Sequence, residues 1–177
     1  MTFFSVFYIK HFKHFDVKIT MNNYLKLFIS VAVCLAIGGI SGYLTANEIP
    51  TWYATLNKPS FNPPNWIFGP VWTTLYVLMG IAFWLVWKSN AEISIKKRAM
   101  TFFIIQLVLN FFWSILFFSF HQLGLALVEI ILLWMFILFS IISFYPISKT
   151  ASYLLVPYVL WVSFASVLNF AIWNLNA

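Results

Sequence analysis

The chain has 177 residues, of which 63% are hydrophobic, 21% aromatic and only 8% charged. Soluble domains carry about 25% charged residues, so this composition excludes a water-soluble globular protein and indicates an integral membrane protein. The formal charge of +6 comes from basic residues in short loops between apolar segments, which favours a role in membrane orientation over the binding of nucleic acid.

Residues 1–23 form a basic and aromatic segment in front of the first long apolar stretch. The interleaving of aromatic side chains with Lys10 and Lys13 is typical of a short helix in the membrane interface. The segment lacks the apolar core of a signal peptide and the arginines of a mitochondrial presequence. The alternative is that translation begins at Met21, which would make the segment an artefact.

Five apolar segments follow, and each approaches or exceeds the roughly 20 residues that a helix needs to cross the hydrocarbon core. They comprise residues 27–44, 66–87, 99–120, 123–145 and 151–173. The links between the last three are so short that these helices must run antiparallel and adjacent. The sequence therefore predicts an all-α fold in which residues 24–177 form one bundle of five transmembrane helices.

The basic residues predict the orientation of this bundle. With five spans, all but one of the ten Lys and Arg residues fall on one side, and Lys58 alone lies opposite. By the positive-inside rule, the N-terminus is cytoplasmic and the C-terminus lies outside. A bacterial-type inner membrane is the preferred location, and a mitochondrial outer membrane would be expected in a eukaryote.

The first apolar segment is rich in small residues. Gly38 and Gly42 form a small-xxx-small pair, which allows the backbone of another helix to approach closely. Small residues do not specify the partner helix. The pair therefore fits either packing within the bundle or the seam of a homodimer.

The loop of residues 45–65 is long for a connection between packed helices and is rich in proline, asparagine and aromatic residues. Loops of this length are usually functional lids or disordered segments. If residues 51–57 form helix, Trp52, Tyr53 and Leu56 share one face, which would rest on the mouth of the bundle. We expect a lid, the alternatives being a structural plug or a flexible connector.

Three of the apolar helices each present a face that mixes aromatic with small or amide side chains. At spacings of three and four residues, these faces comprise Trp66, Gly69, Trp72, Thr73, Tyr76, Gly80, Phe83 and Trp87; Gln106, Asn110, Trp113 and Phe117; and Tyr158, Trp161, Ala165 and Asn169. Such faces suit either a flat, apolar ligand or close helix packing. Amides at membrane depth are costly unless they are paired or solvated. We interpret Gln106 and Asn110 as pocket polarity and Asn169 as an interhelical hydrogen-bonding group. Pro157 is predicted to kink the fifth helix or free a backbone carbonyl.

Glu129 is the only charged side chain within the five apolar segments. A carboxyl group in the membrane is a functional candidate. Because it lies two turns into its helix, about 10 Å below the interface, water or a partner at a helix seam could satisfy it. A structural or oligomer-seam role is favoured over ligand contact.

The inventory of catalytic groups is small. The sequence lacks metal-ligand spacings, a Ser/His/Asp set and a phosphate-binding glycine loop. The three histidines lie at positions 11, 14 and 121, outside the apolar segments, which disfavours axial ligation of haem iron. We expect neither a metal site nor a required cofactor. Cys34 is the single cysteine, so an intrachain disulfide is excluded.

Three blocks of sequence resemble the translocator protein family, also called TspO/MBR or tryptophan-rich sensory proteins. They are WYATLNKPSFNPPNWIFGPVWTTLY at 52–76, LNFFW at 109–113 and LLVPYVLWVSFASVLNFAIW at 154–173. The resemblance implies a cavity, closed by the first loop, that binds porphyrins and other flat hydrophobic ligands, including cholesterol in animals. The residues that match pocket positions of the family are Trp52, Pro63, Trp72, Asn110, Trp113, Trp161 and Ala165.

The resemblance and the helix faces together lead to the functional hypothesis, in which Tyr76, Gln106 and Tyr158 join these pocket positions. We expect a protein that binds, senses or transports a tetrapyrrole such as protoporphyrin IX, with tryptophan rings stacked on the ligand and amides at its polar edges. Lys58 would meet a propionate. The sterol-recognition pattern of animal members is absent, because Phe170 and Asn174 replace its tyrosine and basic residue and no Lys or Arg follows Lys149.

Two alternatives remain beside the binding hypothesis. Some bacterial members are implied to degrade protoporphyrin IX in light, and the catalytic pair in this chain would then be Trp72 and Trp161. The other alternative is a scaffold whose aromatic residues only pack. The expected partners are the lipid bilayer, a hydrophobic small molecule and a second copy of the chain in a homodimer.

Overall fold

The computed structural model describes residues 21–177. The predicted interfacial helix of residues 1–23 therefore lies outside the described residues, except for its last three positions. In the described range the chain is helical and contains no strand. Its elements are α1 (Asn23–Thr45), a 3₁₀ turn (Ala46–Glu48), α2 (Trp52–Thr55), α3 (Asn65–Trp87), α4 (Ile93–Ser114), a π-helical turn (Ile115–Ser119), α5 (Leu123–Phe144), α6 (Lys149–Leu154) and α7 (Val156–Asn176).

Five helical stretches are long and apolar enough to cross a membrane, which confirms the predicted all-α bundle of five spans. They are Asn23–Glu48, Asn65–Trp87, Ile93–Ser119, Leu123–Phe144 and Lys149–Asn176. All but the fourth begin before the predicted apolar segments, the second by a single residue. The reason is that an apolar run marks only the part of a helix that lies in hydrocarbon, whereas the charged residues 96–98 continue α4 beyond it.

The fifth span is broken where the sequence predicts a kink. α6 ends at Leu154, Leu155 forms a turn, and α7 begins at Val156 with Pro157 in its first turn. Proline is tolerated there because the first N–H groups of a helix have no intrahelical acceptor. A second irregularity, the π-helical turn, ends the third span and leads into His121, which has a positive φ of 56°.

Helix packing follows the short links. α4 packs on α5 and α5 packs on α7, as predicted, while α1 packs on α3 and α6 also contacts α3. Glycine permits the close approach of α1 and α3, since a Cβ atom on Gly80 would lie 2.6 Å from the Val31 Cα. A Cβ atom on Gly38 would overlap the Tyr76 ring, so Gly38 packs within the bundle.

The two ends of the bundle differ in packing. At the end that carries the loop of residues 88–92, the interior is filled by Met79, Val86, Phe103 and Phe144, all of which are buried. At the other end the helices enclose a cavity, and the chain from Thr45 to Asn65 covers it. The fold therefore combines a densely packed core at one end of the bundle with a covered cavity at the other.

Candidate ligand-binding cavity

A cavity of about 350 Å³ lies between α1, α3, the end of the third span and α7, a size within the range of small-molecule sites. Its lining is mostly apolar. The residues around it are Leu35, Gly38, Gly39, Ser41, Gly42, Thr45, Ile49, Tyr53, Asn65, Phe68, Gly69, Trp72, Thr73, Tyr76, Trp113, Ser114, Phe117, Phe118, Trp161, Ala165, Leu168, Asn169 and Ile172. None of these described lining residues carries a charge.

Five of the predicted ligand-binding residues line this cavity: Trp72, Tyr76, Trp113, Trp161 and Ala165. They come from α3, α4 and α7, so aromatic walls from three separate helices meet at one space. The Trp72 and Tyr76 rings lie 5.7 Å apart, and the Trp161 ring meets Phe68 edge-on at 6.0 Å. These edge-on and tilted contacts are the geometry that aromatic rings prefer, so the walls are packed against one another.

The other five predicted residues lie outside the lining. Gln106 and Asn110 are each 1% exposed, and Tyr158 is fully buried. Asn110 lies behind Tyr76, whose hydroxyl donates a hydrogen bond to the Asn110 Oδ1 atom. The predicted contact of the Asn110 amide with ligand edges would therefore require movement of the Tyr76 side chain, and the Gln106 amide does not reach the cavity either.

Trp52 and Pro63 belong to the covering segment. The Trp52 ring stacks on the imidazole of His121 at a centroid distance of 4.0 Å and meets Phe117 edge-on at 5.9 Å. The carbonyl of Pro63 accepts a hydrogen bond from the Asn62 side chain. Trp52 thus anchors the cover to the end of the third span, and the Pro63 bond is local to the cover, whereas Tyr53, which the family positions did not include, lines the cavity itself.

The aromatic and small-residue face of α3 has three different environments along its length. Gly69, Trp72, Thr73 and Tyr76 line the cavity, whereas Phe83 packs on Phe103 in the solid core at 4.9 Å. Trp66 is 74% exposed at the start of the helix. Periodicity places all these residues on one face, but only the middle of that face meets the cavity.

The wall that sequence reasoning missed belongs to α1. It consists of small and hydroxyl-bearing residues: Gly38, Gly39, Ser41, Gly42 and Thr45. The Ser41 and Thr45 hydroxyls donate to carbonyls one turn earlier in α1, so their hydrogen-bond donors are satisfied within the helix. The run of small residues was visible in the sequence, but it signals close approach without showing whether a helix or a ligand makes that approach.

Asn169 takes the interhelical role predicted for it and also lines the cavity. Its Nδ2 atom donates to the Leu123 carbonyl at 2.9 Å, and its Oδ1 atom accepts from the Trp113 indole at 3.1 Å. The side chain thereby ties α7 to α4 and α5. It also fixes the orientation of Trp113, one of the three indole walls.

The segment of residues 45–65, here called the lid, is held over the cavity by local and long-range contacts. Tyr53 is buried, and its hydroxyl donates to the Asn62 Oδ1 atom at 2.8 Å. The Asn57 backbone N–H donates to the Asn176 side chain, and that side chain donates back to the Asn57 carbonyl, both at 2.9 Å. These two bonds fasten the lid to the end of α7.

The charged side chains in and near the lid are partly exposed to solvent or contact atoms of the lid. His121 contacts Glu48 at 3.1 Å, a pair that is partly exposed and therefore weak. The Lys58 ammonium lies 4.8 Å from the centre of the Tyr53 ring and donates to the Leu56 carbonyl. Burial raises the pKa of Tyr53 above its ordinary value, so the phenol stays neutral.

Comparison with known proteins supports the resemblance seen in the three sequence blocks. A sequence model of the TspO/MBR family matches residues 30–174. The tryptophan-rich protein TspO of Archaeoglobus fulgidus is 48% identical over 155 residues, covering 88% of this chain and 99% of that protein. The human translocator protein is 40% identical over 126 residues, covering 71% and 75%. The tryptophan-rich sensory protein of Cereibacter sphaeroides is 34% identical over 157 residues, covering 88% and 95%.

Proposed function

Because the chain belongs to the TspO/MBR family of membrane proteins, we propose that its cavity binds a tetrapyrrole such as protoporphyrin IX, for sensing or transport. One observation carries the proposal: Trp72, Trp113 and Trp161, from three different helices, line a single uncharged cavity beneath the lid. A flat apolar ring gains both area burial and favourable ring stacking against such walls.

The polar edges of the ligand have partners in the lining. The described amides that reach the cavity surface are those of Asn65 and Asn169, and hydroxyl groups come from α1, α3 and α4. A few hydrogen-bonding groups in an apolar pocket orient a ligand without requiring charge. Lys58 lies in the lid close to Tyr53, where a ligand carboxylate at the cavity mouth would meet its ammonium group.

Quenching of tryptophan fluorescence by protoporphyrin IX tests the binding proposal in nanodiscs. We expect saturable quenching for the unmodified protein and its loss or strong weakening in Trp72→Ala. The matched control is Trp66→Ala, because Trp66 lies on the same helix but is exposed and away from the cavity. Linear quenching without saturation, or a Trp72→Ala variant that binds as tightly as the control, would support the scaffold alternative.

A light-dependent degradation of the porphyrin is a second candidate function. Its support is that Trp72 and Trp161 line the same cavity, so both indoles would lie beside a bound ring. An illuminated porphyrin activates oxygen, and indole is an easily oxidised side chain. Loss of porphyrin absorbance under light should slow in the Trp72→Phe plus Trp161→Phe variant. An unchanged rate of porphyrin loss in that double variant would show that the two indoles have no catalytic role.

We also propose an orientation with the solid end of the bundle in the cytoplasm of a bacterial-type cell. Within residues 21–177, the cations at that end are Lys26, Lys88, Lys96, Lys97, Arg98 and Lys149, and Lys58 lies at the lid end. The positive-inside rule then places the lid outside. In whole cells, Lys58→Cys should react with a membrane-impermeant maleimide and Lys97→Cys should not. The reverse labelling pattern would show that the lid faces the cytoplasm and would refute the proposed orientation.

A further inference from the structure

The cavity reaches the outer surface of the bundle on one side. Five of its lining residues are exposed, and all of them belong to α1 or α3: Gly39, Gly42, Asn65, Gly69 and Thr73. The lining residues from α4, the π-helical turn and α7 are buried or half-buried. The exposed residues therefore mark an opening between α1 and α3, here called the lateral gap.

Three glycines on the two sides of the lateral gap border open space. A Cβ atom added to Gly39, Gly42 or Gly69 would meet nothing within 4 Å. Glycines in transmembrane helices usually permit close contact with another helix. These three have no such neighbour within the described chain, so they widen the gap instead of closing it.

The lateral gap ends where α1 and α3 come into contact. A Cβ atom on Gly38 would overlap the Tyr76 ring, and one on Gly80 would lie 2.6 Å from the Val31 Cα. Both contacts lie on the side of the gap that faces the densely packed end of the bundle. The two helices therefore close the interior at that end and leave it open only beside the cavity.

The depth of the lateral gap places it against lipid. Gly42 lies three residues before the end of α1, and Gly69 lies four residues after the start of α3. At a rise of 1.5 Å per residue, both glycines are about 5–6 Å from these helix ends. The two helices have 23 residues each and are therefore about 35 Å long, so their ends project only a few Å from a hydrocarbon core of about 30 Å. The gap thus faces acyl chains rather than water.

The edges of the lateral gap are compatible with hydrocarbon. The Thr73 hydroxyl donates to the Gly69 carbonyl at 2.9 Å, so its donor is satisfied within α3. The described residues that line the cavity carry no charge. An unsatisfied or charged group at membrane depth would oppose contact with lipid. An apolar molecule can therefore pass these edges at little electrostatic cost.

The lid, in contrast, is fastened on the other sides of the cavity. Two hydrogen bonds of 2.9 Å join the Asn57 backbone to the Asn176 side chain, and the Trp52 ring stacks on His121 at 4.0 Å. These contacts attach the lid to α7 and to the end of the third span. Passage under the lid would break them, whereas passage through the lateral gap breaks no hydrogen bond of the lid.

We propose that a hydrophobic ligand enters and leaves the cavity sideways, from the bilayer, through the lateral gap between α1 and α3. This inference rests on the proposed function, because it requires a ligand that occupies the cavity. A flat apolar molecule dissolves in hydrocarbon, and the lateral route spares it the exposure of its apolar surface to water. The lid then acts as a fixed roof, and the gap controls the rate of exchange.

Stopped-flow quenching of tryptophan fluorescence by protoporphyrin IX in nanodiscs tests the route. Gly42→Phe and Gly39→Phe each place a bulky side chain at an open position of the gap. Either variant should slow both association and dissociation several-fold and leave the dissociation constant nearly unchanged, because a higher barrier on the route acts in both directions. The matched control Ala36→Phe, at an exposed position of α1 outside the cavity lining, should keep the unmodified rates. Unchanged or faster dissociation in the folded gap variants overturns the proposal.

The same assay separates the lateral gap from the lid and from the binding proposal itself. Asn176→Ala removes both hydrogen bonds between the lid and α7, yet it should not speed association, because the lid is not on the route. Faster association in Asn176→Ala would show entry under the lid and would refute the lateral route alone. Absence of saturable quenching in the unmodified protein would refute tetrapyrrole binding, and the entry route would fall with it.

Oxidative cross-linking in membranes tests whether a second copy of the chain covers the lateral gap. Gly42→Cys places a thiol at the gap, and the native Cys34 is only 2% exposed, so it should not contribute a cross-link. We expect the variant to remain monomeric on oxidation. Rapid formation of a disulfide-linked dimer would show that a partner closes the gap and would overturn the proposal.

Discussion

The close approach of α1 and α3 is tested by the substitution Gly80→Ala. Gly80 is buried where the two helices meet, and an added Cβ atom would lie 2.6 Å from the Val31 Cα and 3.0 Å from the Ser30 carbonyl oxygen. Ordinary contacts of Cβ atoms begin at 3.4 Å. The nearest atom belongs to the backbone, so no rotation of a side chain can relieve the overlap.

The two helices must therefore separate locally by about 0.8 Å, or their backbones must distort, and overpacking of this kind costs about 1–3 kcal/mol. The change from glycine to alanine also improves helix propensity by about 1 kcal/mol. Because the overlap involves backbone atoms, we place the cost near the upper end of its range. The net loss of stability should then be about 1–2 kcal/mol.

Gly39→Ala is the matched control for this prediction. A Cβ atom on Gly39 would have nothing within 4 Å, so only the gain in helix propensity applies and its stability should stay equal or rise slightly. Cys34 supplies the assay: it is 2% exposed, and its reaction with a thiol-specific fluorophore during heating reports unfolding. If Gly80→Ala melts at the same temperature as Gly39→Ala, the inferred contact between α1 and α3 is wrong.

Three further predictions concern the cavity wall and the lid. Tyr76→Phe leaves the Oδ1 atom of Asn110 buried and unpaired, so it should cost about 1–3 kcal/mol in the same thermal assay, and an unchanged melting temperature would contradict the hydrogen bond. Asn176→Ala removes both bonds to the Asn57 backbone, so amide exchange across residues 45–65 should accelerate while the bundle helices keep their protection; equal rates would show that other contacts hold the lid. Burial raises the pKa of Tyr53 above 10.0, so its neutral hydroxyl stabilises the lid fully below pH 10 and this contribution is lost as pH rises through the raised pKa. Lid exchange in the unmodified protein should therefore rise above pH 10 by more than the hydroxide-catalysed increase that all amides share, and a Tyr53→Phe variant with the same excess rise would refute that role.

The candidate site could be predicted only in part, and two pairs of residues show why. Trp72 and Trp161 lie on separate helices and both line the cavity, in agreement with the family resemblance. Gln106 and Asn110 share a helix face with Trp113, yet both are buried outside the lining, Asn110 behind Tyr76, and only Trp113 reaches the cavity. Helical periodicity gives the face of a residue, but its depth along the helix decides whether it meets the cavity or the solid core.

Length and apolarity alone determined the five spans of this protein, because the thickness of the hydrocarbon core sets how many apolar residues a helix must have. Pro157 likewise determined where the fifth span breaks, since its missing N–H acts within one turn. Only the tertiary structure decided that Gly38 packs against the Tyr76 ring while a Cβ atom on Gly42 would meet nothing within 4 Å, although both glycines lie one turn apart on α1 and line the cavity. Local constraints act within a helix, whereas the identity of a neighbour depends on how separate helices pack.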